Sequence, residues 1–207
     1  NSLHDSKIGF MDENTDGFYY PFSKLYSKQT LLQTFAGQDS RIRGLGIFLD
    51  VFPIDIMPEP GRKLDEYYDD MSRLNQAMWM DIPGFFYANT NILKRFAKRI
   101  VRYPRYHKIK SIDANPENWK KIVLKEITKF DNTTEKNAGF ILSEYGSKES
   151  IPKETFNHYS EICFEGNKYM AVSDYDTYLH ALYGNYLELP PKEKRVPKHN
   201  YYIAYWK

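Results

Sequence analysis

Cysteine is nearly absent from this sequence, which holds Cys163 alone among its 207 residues. A single cysteine excludes an intramolecular disulfide and a cysteine-based zinc site, and it fits a reducing compartment. We therefore expect a cytoplasmic protein. Long apolar runs are also missing, since no stretch approaches the roughly 18 continuous apolar residues of a membrane span. Internal repeats and low-complexity segments are absent too.

A strong excess of charge of one sign is lacking as well. Lys and Arg number 29 against 27 Asp and Glu, which gives a net charge of +2 and a pI near 8.4. A dedicated nucleic-acid binder usually carries a larger basic excess, so we expect no nucleic acid partner. What is present is a hydrophobic fraction of 42%, typical of a folded protein long enough to bury a core.

The N-terminal third of the sequence predicts a loop followed by a sheet. Residues 1–17 are polar and turn-rich, and residues 18–61 are predicted to form the core of a sheet. The almost continuously apolar residues 44–53 are predicted as a buried strand. The chain begins with Asn1 instead of methionine, and we expect that an N-terminal part of the natural protein precedes it.

The middle of the chain, residues 62–160, is predicted to be mostly helical. Apolar residues at spacings of three and four, together with capping signals, define the helices. The predicted helices cover residues 62–80, 90–103, 116–129 and 133–144. Pro104 is expected to end the second helix, and Asn115 is expected to cap the third, which starts at Pro116.

The C-terminal region, residues 161–207, is predicted to contain a hairpin, a helix and a proline-broken loop before the final aromatic residues. Gly166 and Asn167 mark the turn of the hairpin. Ser173 or Asp174 caps the helix and Gly184 ends it. Because helices and strands follow one another in mixed order, the fold class is predicted to be α+β.

Two carboxylates, Asp50 and Asp55, lie inside the apolar run of the predicted strand. A buried carboxylate without a partner is costly, so each must be neutralised or meet a cation. Side chains alternate along a strand, so Asp50 points away from the face of Leu49 and Val51. Asp50 could ligate a hard divalent cation shared with phosphate oxygens, or it could accept backbone N–H bonds. Asp55 precedes a turn and fits the second interpretation.

Arg195 and His199 lie in a proline-rich loop after the last predicted helix. An arginine and a histidine in this position could hold a phosphate group. The alternative is a solvated loop with no ligand, and the two interpretations stay open.

The segment that begins at Leu93 and ends at Arg102 mixes cations with apolar residues, and no acidic residue occurs up to Lys110. Such a cationic amphipathic helix can make peripheral contact with an anionic membrane. It can equally be a solvated helix that covers the core, and the pattern does not decide between the two.

Several motifs, taken in their order along the chain, resemble the LicD family. They are "YYPFSKLYSKQTLL", "GIFLDVFPID", "FEGNKYMAV", "DYDTYLHALYG" and "LPPKEKRVPKH". The resemblance extends over about residues 19–199, with a variable helical middle at 62–160. It implies a single domain with a nucleotidyltransferase-like mixed sheet, an inserted, mostly helical middle and a C-terminal hairpin, helix and loop.

The resemblance also implies a reaction. Members of the family transfer phosphocholine from CDP-choline to sugars of teichoic acid or lipopolysaccharide, and the related fukutin-related proteins transfer ribitol phosphate. A sugar hydroxyl would attack the phosphate next to the choline or polyol, CMP would leave, and Mg²⁺ or Mn²⁺ would offset charge on the diphosphate. The acceptor, a sugar of teichoic acid, lipopolysaccharide or capsule, is expected to be lipid-linked, so the protein would work at the inner face of the cell membrane.

The family pattern assigns roles to individual residues. Asp50 matches a metal ligand, and Asp55 matches a second aspartate that orders the loop behind it. The residues assigned to substrate binding are Lys24, Asp55, Glu165, Tyr183, Gly184, Arg195 and His199. The family's aspartate-rich motif, which supplies the main metal ligands and the base, has no match here. Catalytic residues are therefore expected upstream of Asn1, and this fragment alone is expected to be inactive.

Two other functions remain open for the same residues. One is a non-catalytic LicD-like protein that binds glycans or acts as a scaffold. The other is a true nucleotidyltransferase, in which the acceptor would gain the nucleotide instead of the substituted phosphate group.

Overall fold

The computed structural model describes residues 6–18, 20–34, 44–80, 92–110, 116–195 and 202–207. The strands are β1 (Ile8–Met11), β2 (Ser23–Ser27), β3 (Thr30–Thr34), β4 (Phe48–Val51), β5 (Asp55–Met57), β6 (Asn137–Gly139), β7 (Ile151–Pro152), β8 (Tyr159–Phe164), β9 (Asn167–Val172) and β10 (Tyr202–Trp206). The α helices are α1 (Arg62–Met80), α2 (Ile92–Lys110), α3 (Pro116–Ile127) and α4 (Tyr175–Tyr183). Short 3-10 helices occur at Gly146–Glu149, Lys153–Phe156 and Lys192–Lys194. This mixture confirms the α+β class.

The chain divides into two compact units. The first unit comprises Asn1–Phe52, Arg73–Leu124 and Pro197–Lys207, and the second comprises Pro53–Ser72 and Lys125–Val196. The expectation of one LicD-like domain stays a prediction.

In the first unit, β1, β2 and β4 form an antiparallel sheet with two different faces. One face carries the cross-strand row Phe10, Leu25 and Leu49. The other carries Met11, which packs with Phe18 in a small buried cluster. The prediction of a loop over residues 1–17 is wrong at Ile8–Met11, because alternate residues of this strand are buried while its backbone pairs with β2.

The prediction that residues 44–53 form one buried strand is also wrong. Within this range β4 covers only Phe48–Val51, and Leu49 is 71% exposed. The buried cluster lies on the side of Phe48, and Leu49 and Val51 project from the opposite face because strand side chains alternate. An almost continuous apolar run therefore has only one face toward the core.

In the second unit, β5, β6 and β7 form an antiparallel sheet around buried Met57, Ala138 and Ile151. The predicted helix over residues 133–144 is wrong, because β6 occupies its centre. Asn137 ties this strand to its neighbour: its Nδ2 donates hydrogen bonds to the carbonyl and the hydroxyl of Ser150, at 3.2 and 3.0 Å. These cross-strand bonds outweigh the local helical pattern.

The long helices follow the sequence pattern with one exception. Helix α1 has the predicted bounds, and α3 begins at Pro116 as predicted. Helix α2 continues through Pro104 to Lys110, so the prediction that it ends at the proline is wrong. A proline removes one backbone donor and kinks a helix, and the flanking turns still form their own bonds. Among the described helices none is long and apolar enough to cross a membrane.

The C-terminal elements largely match expectation. Strands β8 and β9 form the predicted hairpin, but its turn residues are Glu165 and Gly166, with φ of 50° and 78°. Asp174 caps α4 by accepting a hydrogen bond from Thr177 N at 3.4 Å, and Gly184 ends the helix at φ 68°. The final aromatic residues form β10, which pairs with β3.

Every strand pairing among the described residues is antiparallel, in four small sheets. The expected mixed sheet is therefore not found in this part of the chain. The predicted helical middle extends to Ile127, after which β6 and β7 begin. The nucleotidyltransferase-like arrangement stays a prediction.

Candidate functional site

The first unit contains a lysine–aspartate pair on neighbouring strands. Lys24 on β2 and Asp50 on β4 are direct cross-strand partners, and Lys24 Nζ donates to Asp50 Oδ1. The lysine side chain is 2% exposed and the aspartate side chain 31%. Asp50 projects from the face opposite Leu49, as strand alternation predicted. The carboxylate therefore neutralises a buried ammonium group and keeps one side toward solvent.

Aromatic rings enclose the same ammonium group. Lys24 Nζ lies 3.6 Å from the ring centroid of Phe48, 4.3 Å from that of Tyr20 and 5.1 Å from that of Phe22. Ring faces attract cations electrostatically, most strongly where water is excluded. The ring row continues from Phe22 to Phe52, with centroids 4.8 Å apart. The unit thus contains a built cation site made of rings and one carboxylate, and Lys24 occupies it.

The ligands available around Asp50 bear on its predicted role in binding a metal ion. Mg²⁺ and Mn²⁺ take several oxygen ligands, usually including two or three carboxylates. Asp50 supplies one carboxylate, and Lys24 already bonds to it. Within the described ranges, no group of three or more His, Cys, Asp or Glu side chains could hold a metal ion. These residues by themselves do not fit a divalent cation, and the role of Asp50 as a ligand stays a prediction.

Asp55 lies in the second unit, on β5 opposite Gly139. Its Oδ2 atom is buried and accepts no hydrogen bond from the described residues. Burial, and secondarily the charge of Asp131, raise the pKa of Asp55 to about 6. The nearby hydroxyl of Tyr67 donates to the carbonyl of Glu126 at 2.9 Å. Burial, with Asp55 as the next cause, raises the pKa of Tyr67.

A tyrosine cluster in the second unit was only partly expected. Tyr183, predicted to bind substrate, forms a hydrogen bond of 3.3 Å with Tyr145, and their rings meet edge to face at 5.2 Å. This hydrogen bond and partial burial raise the pKa of Tyr183 to about 12. The charge of Glu149 contributes to raising the pKa of both Tyr183 and Tyr178.

Glu149 itself was missed by the sequence analysis. It is 4% exposed, and its Oε2 atom has no hydrogen-bond partner among the described residues. Burial raises the pKa of this carboxyl, while hydrogen bonds involving Ser143 and the backbone of Phe140 partly oppose the shift. An isolated glutamate in a polar stretch, "GSKES", carries no signal that it is buried.

Three other predicted site residues lie on separate elements of the second unit. Glu165 is in the exposed hairpin turn, Gly184 ends α4, and Arg195 Nε donates to the carbonyl of Pro190 at 2.6 Å. His199 lies outside the described residues. Of the predicted set, the structure joins Lys24 to Asp50, and the predicted roles of all these residues stay predictions.

Comparison with known proteins gives one informative match. A 63-residue stretch of the chain is 41% identical to lipopolysaccharide cholinephosphotransferase LicD of Haemophilus influenzae. This part of the chain is similar in sequence to LicD. The matched stretch is 30% of this chain and spans about a quarter, 24%, of the relative's length. The similarity supports a relation to the predicted family over the matched stretch.

Two further comparisons were negative. No protein-family model matches the chain. No solved structure matches it at a significant level.

Proposed function

We propose that the protein to which this chain belongs transfers a phosphocholine-like or polyol-phosphate group from a CDP-linked donor to a sugar of a cell-surface glycan. The observation that carries the proposal is the 41% identity to a cholinephosphotransferase over 63 residues. In this reaction an acceptor hydroxyl oxygen bonds to the phosphorus that bears choline or the polyol. The bond from that phosphorus to CMP breaks, CMP leaves, and the hydroxyl proton goes to a base.

The cation site around Lys24 favours a donor that carries choline. Rings and a carboxylate are the groups that recognise quaternary ammonium ligands. Phe52 extends the ring row and is 47% exposed, so part of this aromatic surface is open to solvent. We expect choline to contact the aromatic row at Phe52, while the ammonium group of Lys24 stays between its rings and Asp50. A polyol phosphate lacks a cation and would gain less from the rings.

The cytoplasmic location, the lipid-linked acceptor and the dependence on Mg²⁺ or Mn²⁺ belong to the proposal as well. A hard cation would offset charge on the donor diphosphate. Because Asp50 is one carboxylate already bonded to Lys24, no step of the reaction is assigned to a metal at this position.

The decisive experiment incubates the full natural protein with an acceptor glycan and either CDP-choline or CDP-ribitol, with and without Mg²⁺. CMP release and the mass gained by the acceptor are measured together. We expect CMP and an added phosphocholine group, with CDP-choline preferred. Phe52→Ala should raise the KM for CDP-choline more than that for CDP-ribitol, whereas Leu49→Ala, at an exposed apolar position on the other face, should change neither.

The outcomes separate the rival functions. An acceptor that gains a whole nucleotide would identify a nucleotidyltransferase. Binding of the glycan without CMP release from any donor would identify a non-catalytic binding protein.

A further inference from the structure

Helix α2 has two chemically distinct faces. At about 100° per residue, the apolar residues from Ile92 to Tyr103 fall on one half of the helix and the cations from Lys94 to Arg105 on the other, whereas Lys108 and Lys110 fall on the apolar half. The apolar half contains Ile92, Leu93, Phe96, Ala97, Ile100, Val101 and Tyr103, and the cationic half contains Lys94, Arg95, Lys98, Arg99, Arg102 and Arg105. Up to Arg105, this division is that of an amphipathic helix.

The apolar half of α2 does not cover a core. The exposed fractions of its large apolar side chains run from 54% for Tyr103 to 80% for Leu93, with Phe96 at 65% between them. In α1, by contrast, Leu64 and Met71 are at most 1% exposed. The sequence left open whether the basic helix covers the core or faces a membrane, and the exposure of its apolar residues excludes the first alternative.

The charge of α2 is one-sided. The helix holds eight Lys and Arg and no Asp or Glu. Because the whole chain holds 29 cations and 27 anions, the remainder carries 21 cations against 27 anions and is net acidic. The complementary surface for α2 is therefore both anionic and apolar, and a bilayer with anionic headgroups has both properties.

The surface of α2 also has shallow concavities that combine the two chemistries. One, of about 350 Å³, is lined by Phe96, Arg99, Ile100 and Tyr103. There a guanidinium group lies beside apolar walls and a tyrosine ring. At a lipid interface phosphate groups lie directly above acyl chains, and aromatic rings such as tyrosine concentrate at that level.

We propose that α2 lies flat on an anionic membrane surface, with Phe96 and Ile100 in the acyl boundary and Lys94, Lys98, Arg99 and Arg102 among the headgroups. Eight cations make a position across the bilayer core costly, so the helix lies in the interface plane. This inference does not depend on the proposed transferase reaction, and its test needs no donor or acceptor.

The test is sedimentation of the 207-residue chain with vesicles of equimolar phosphatidylglycerol and phosphatidylcholine, and with vesicles of phosphatidylcholine alone. We expect binding to the anionic vesicles and little to the neutral ones. The combined change Lys94→Glu, Lys98→Glu and Arg99→Glu should weaken binding by at least about a hundredfold, since each surface cation contributes roughly fivefold.

Two further variants make the result specific. Phe96→Ser with Ile100→Ser keeps every charge and should weaken binding about tenfold, because apolar burial is lost. The matched control reverses three exposed lysines on other elements, Lys121→Glu, Lys125→Glu and Lys148→Glu. It changes the net charge equally and should bind far better than the α2 charge variant. Circular dichroism verifies that each variant is folded.

Several results would overturn the proposal. One is equal loss of binding in the α2 charge variant and the matched control, which would indicate a non-specific charge effect. Another is no effect of the Phe96 and Ile100 changes. A third is concentration-dependent self-association that those changes abolish while vesicle binding is absent, which would assign the apolar face to a second copy of the chain.

Discussion

At the scale of single residues, the Lys24–Asp50 pair is the most consequential feature. The ammonium group is withdrawn from water, and one carboxylate and three rings replace its hydration. Strand alternation alone indicated which way Asp50 points. Its partner lies 26 residues earlier in the chain, and only the register of β2 against β4 brings the two together.

Removing either partner of this pair should have unequal effects on stability. Asp50→Asn leaves a buried ammonium without its counter-charge and should lower the free energy of unfolding by about 3 kcal/mol. Lys24→Met should lower it by about 1 kcal/mol, because methionine packs against the rings and water reaches the 31% exposed aspartate. Chemical denaturation followed by circular dichroism measures both.

The control for these changes is an exposed ion pair. Arg62 and Glu66 form one on α1 at 2.7 Å, with side chains 91% and 63% exposed, and Glu66→Gln should have no measurable effect. If Asp50→Asn were as harmless as Glu66→Gln, the pair would not be important to the fold.

Asp55 should make stability depend on pH. Its pKa is about 6 in the folded chain against 3.8 for an ordinary aspartate. The folded chain therefore holds more protons than the unfolded chain between about pH 4 and pH 6, and the free energy of unfolding falls as pH rises through this interval. Asp55→Asn should remove this slope and be more stable than the native chain by about 1–2 kcal/mol at pH 7.

The measurement for Asp55 is the difference in unfolding free energy between variant and native chain at several pH values. The difference should grow from about pH 4 to pH 6 and then stay level. Asp131→Asn removes the secondary cause of the pKa shift of Asp55. It should therefore show a small part of the pH-dependent difference in unfolding free energy that Asp55→Asn shows. A difference that shrinks with rising pH would mean that a cation pairs with the carboxylate.

At the scale of elements, the hairpin turn between β8 and β9 is a point of strain. Glu165 has a φ of 50°, which an L-residue other than glycine or asparagine adopts at a cost. Glu165→Asn should raise the free energy of unfolding by about 0.5–1 kcal/mol, because asparagine tolerates this conformation in such turns. Thermal denaturation measures the change.

At the neighbouring Gly166, a substitution should lower the stability of the same turn. Gly166→Ala, at φ 78°, should destabilise the hairpin by about 1 kcal/mol or more. If Glu165→Asn instead lowers stability, the side chain of Glu165 makes a contact that outweighs the strain. A gain in stability together with a loss of transferase activity would support the predicted substrate role of Glu165.

Elements with strong local signals were predicted well from the sequence. The bounds of α1, the start of α3 and both ends of α4 follow from apolar spacing, a proline at the first helical position and capping by Asp174 and Gly184. Strand β6 was missed because its short run, Asn137–Gly139, is a strand only through its pairing with β5 and β7. Such pairing leaves no periodic pattern in three residues.

At the scale of the whole molecule, the charge distribution matters more than the net charge. The net charge of +2 is the sum of a helix with eight cations and a remainder that is net acidic. We expect binding to anionic vesicles to fall steeply as NaCl is raised to about 1 M, where the screening length is about 3 Å. Vesicle sedimentation across a salt series measures this dependence.

Residual binding at high salt then reports the apolar contribution. It should disappear in the Phe96→Ser, Ile100→Ser variant and persist in the Lys121, Lys125 and Lys148 control. Binding that does not change with salt would contradict the electrostatic part of the membrane proposal.

The sequence by itself determined the α+β class, the main helices, the C-terminal hairpin and the direction in which Asp50 points. These features depend on spacing and capping within a few residues. Only the tertiary structure decided that Lys24 neutralises Asp50, that Asp55 Oδ2 and Glu149 are buried, that Leu49 faces solvent and that the apolar half of α2 is exposed. Burial and pairing depend on which distant segments come together, and a local pattern of residue types does not record that.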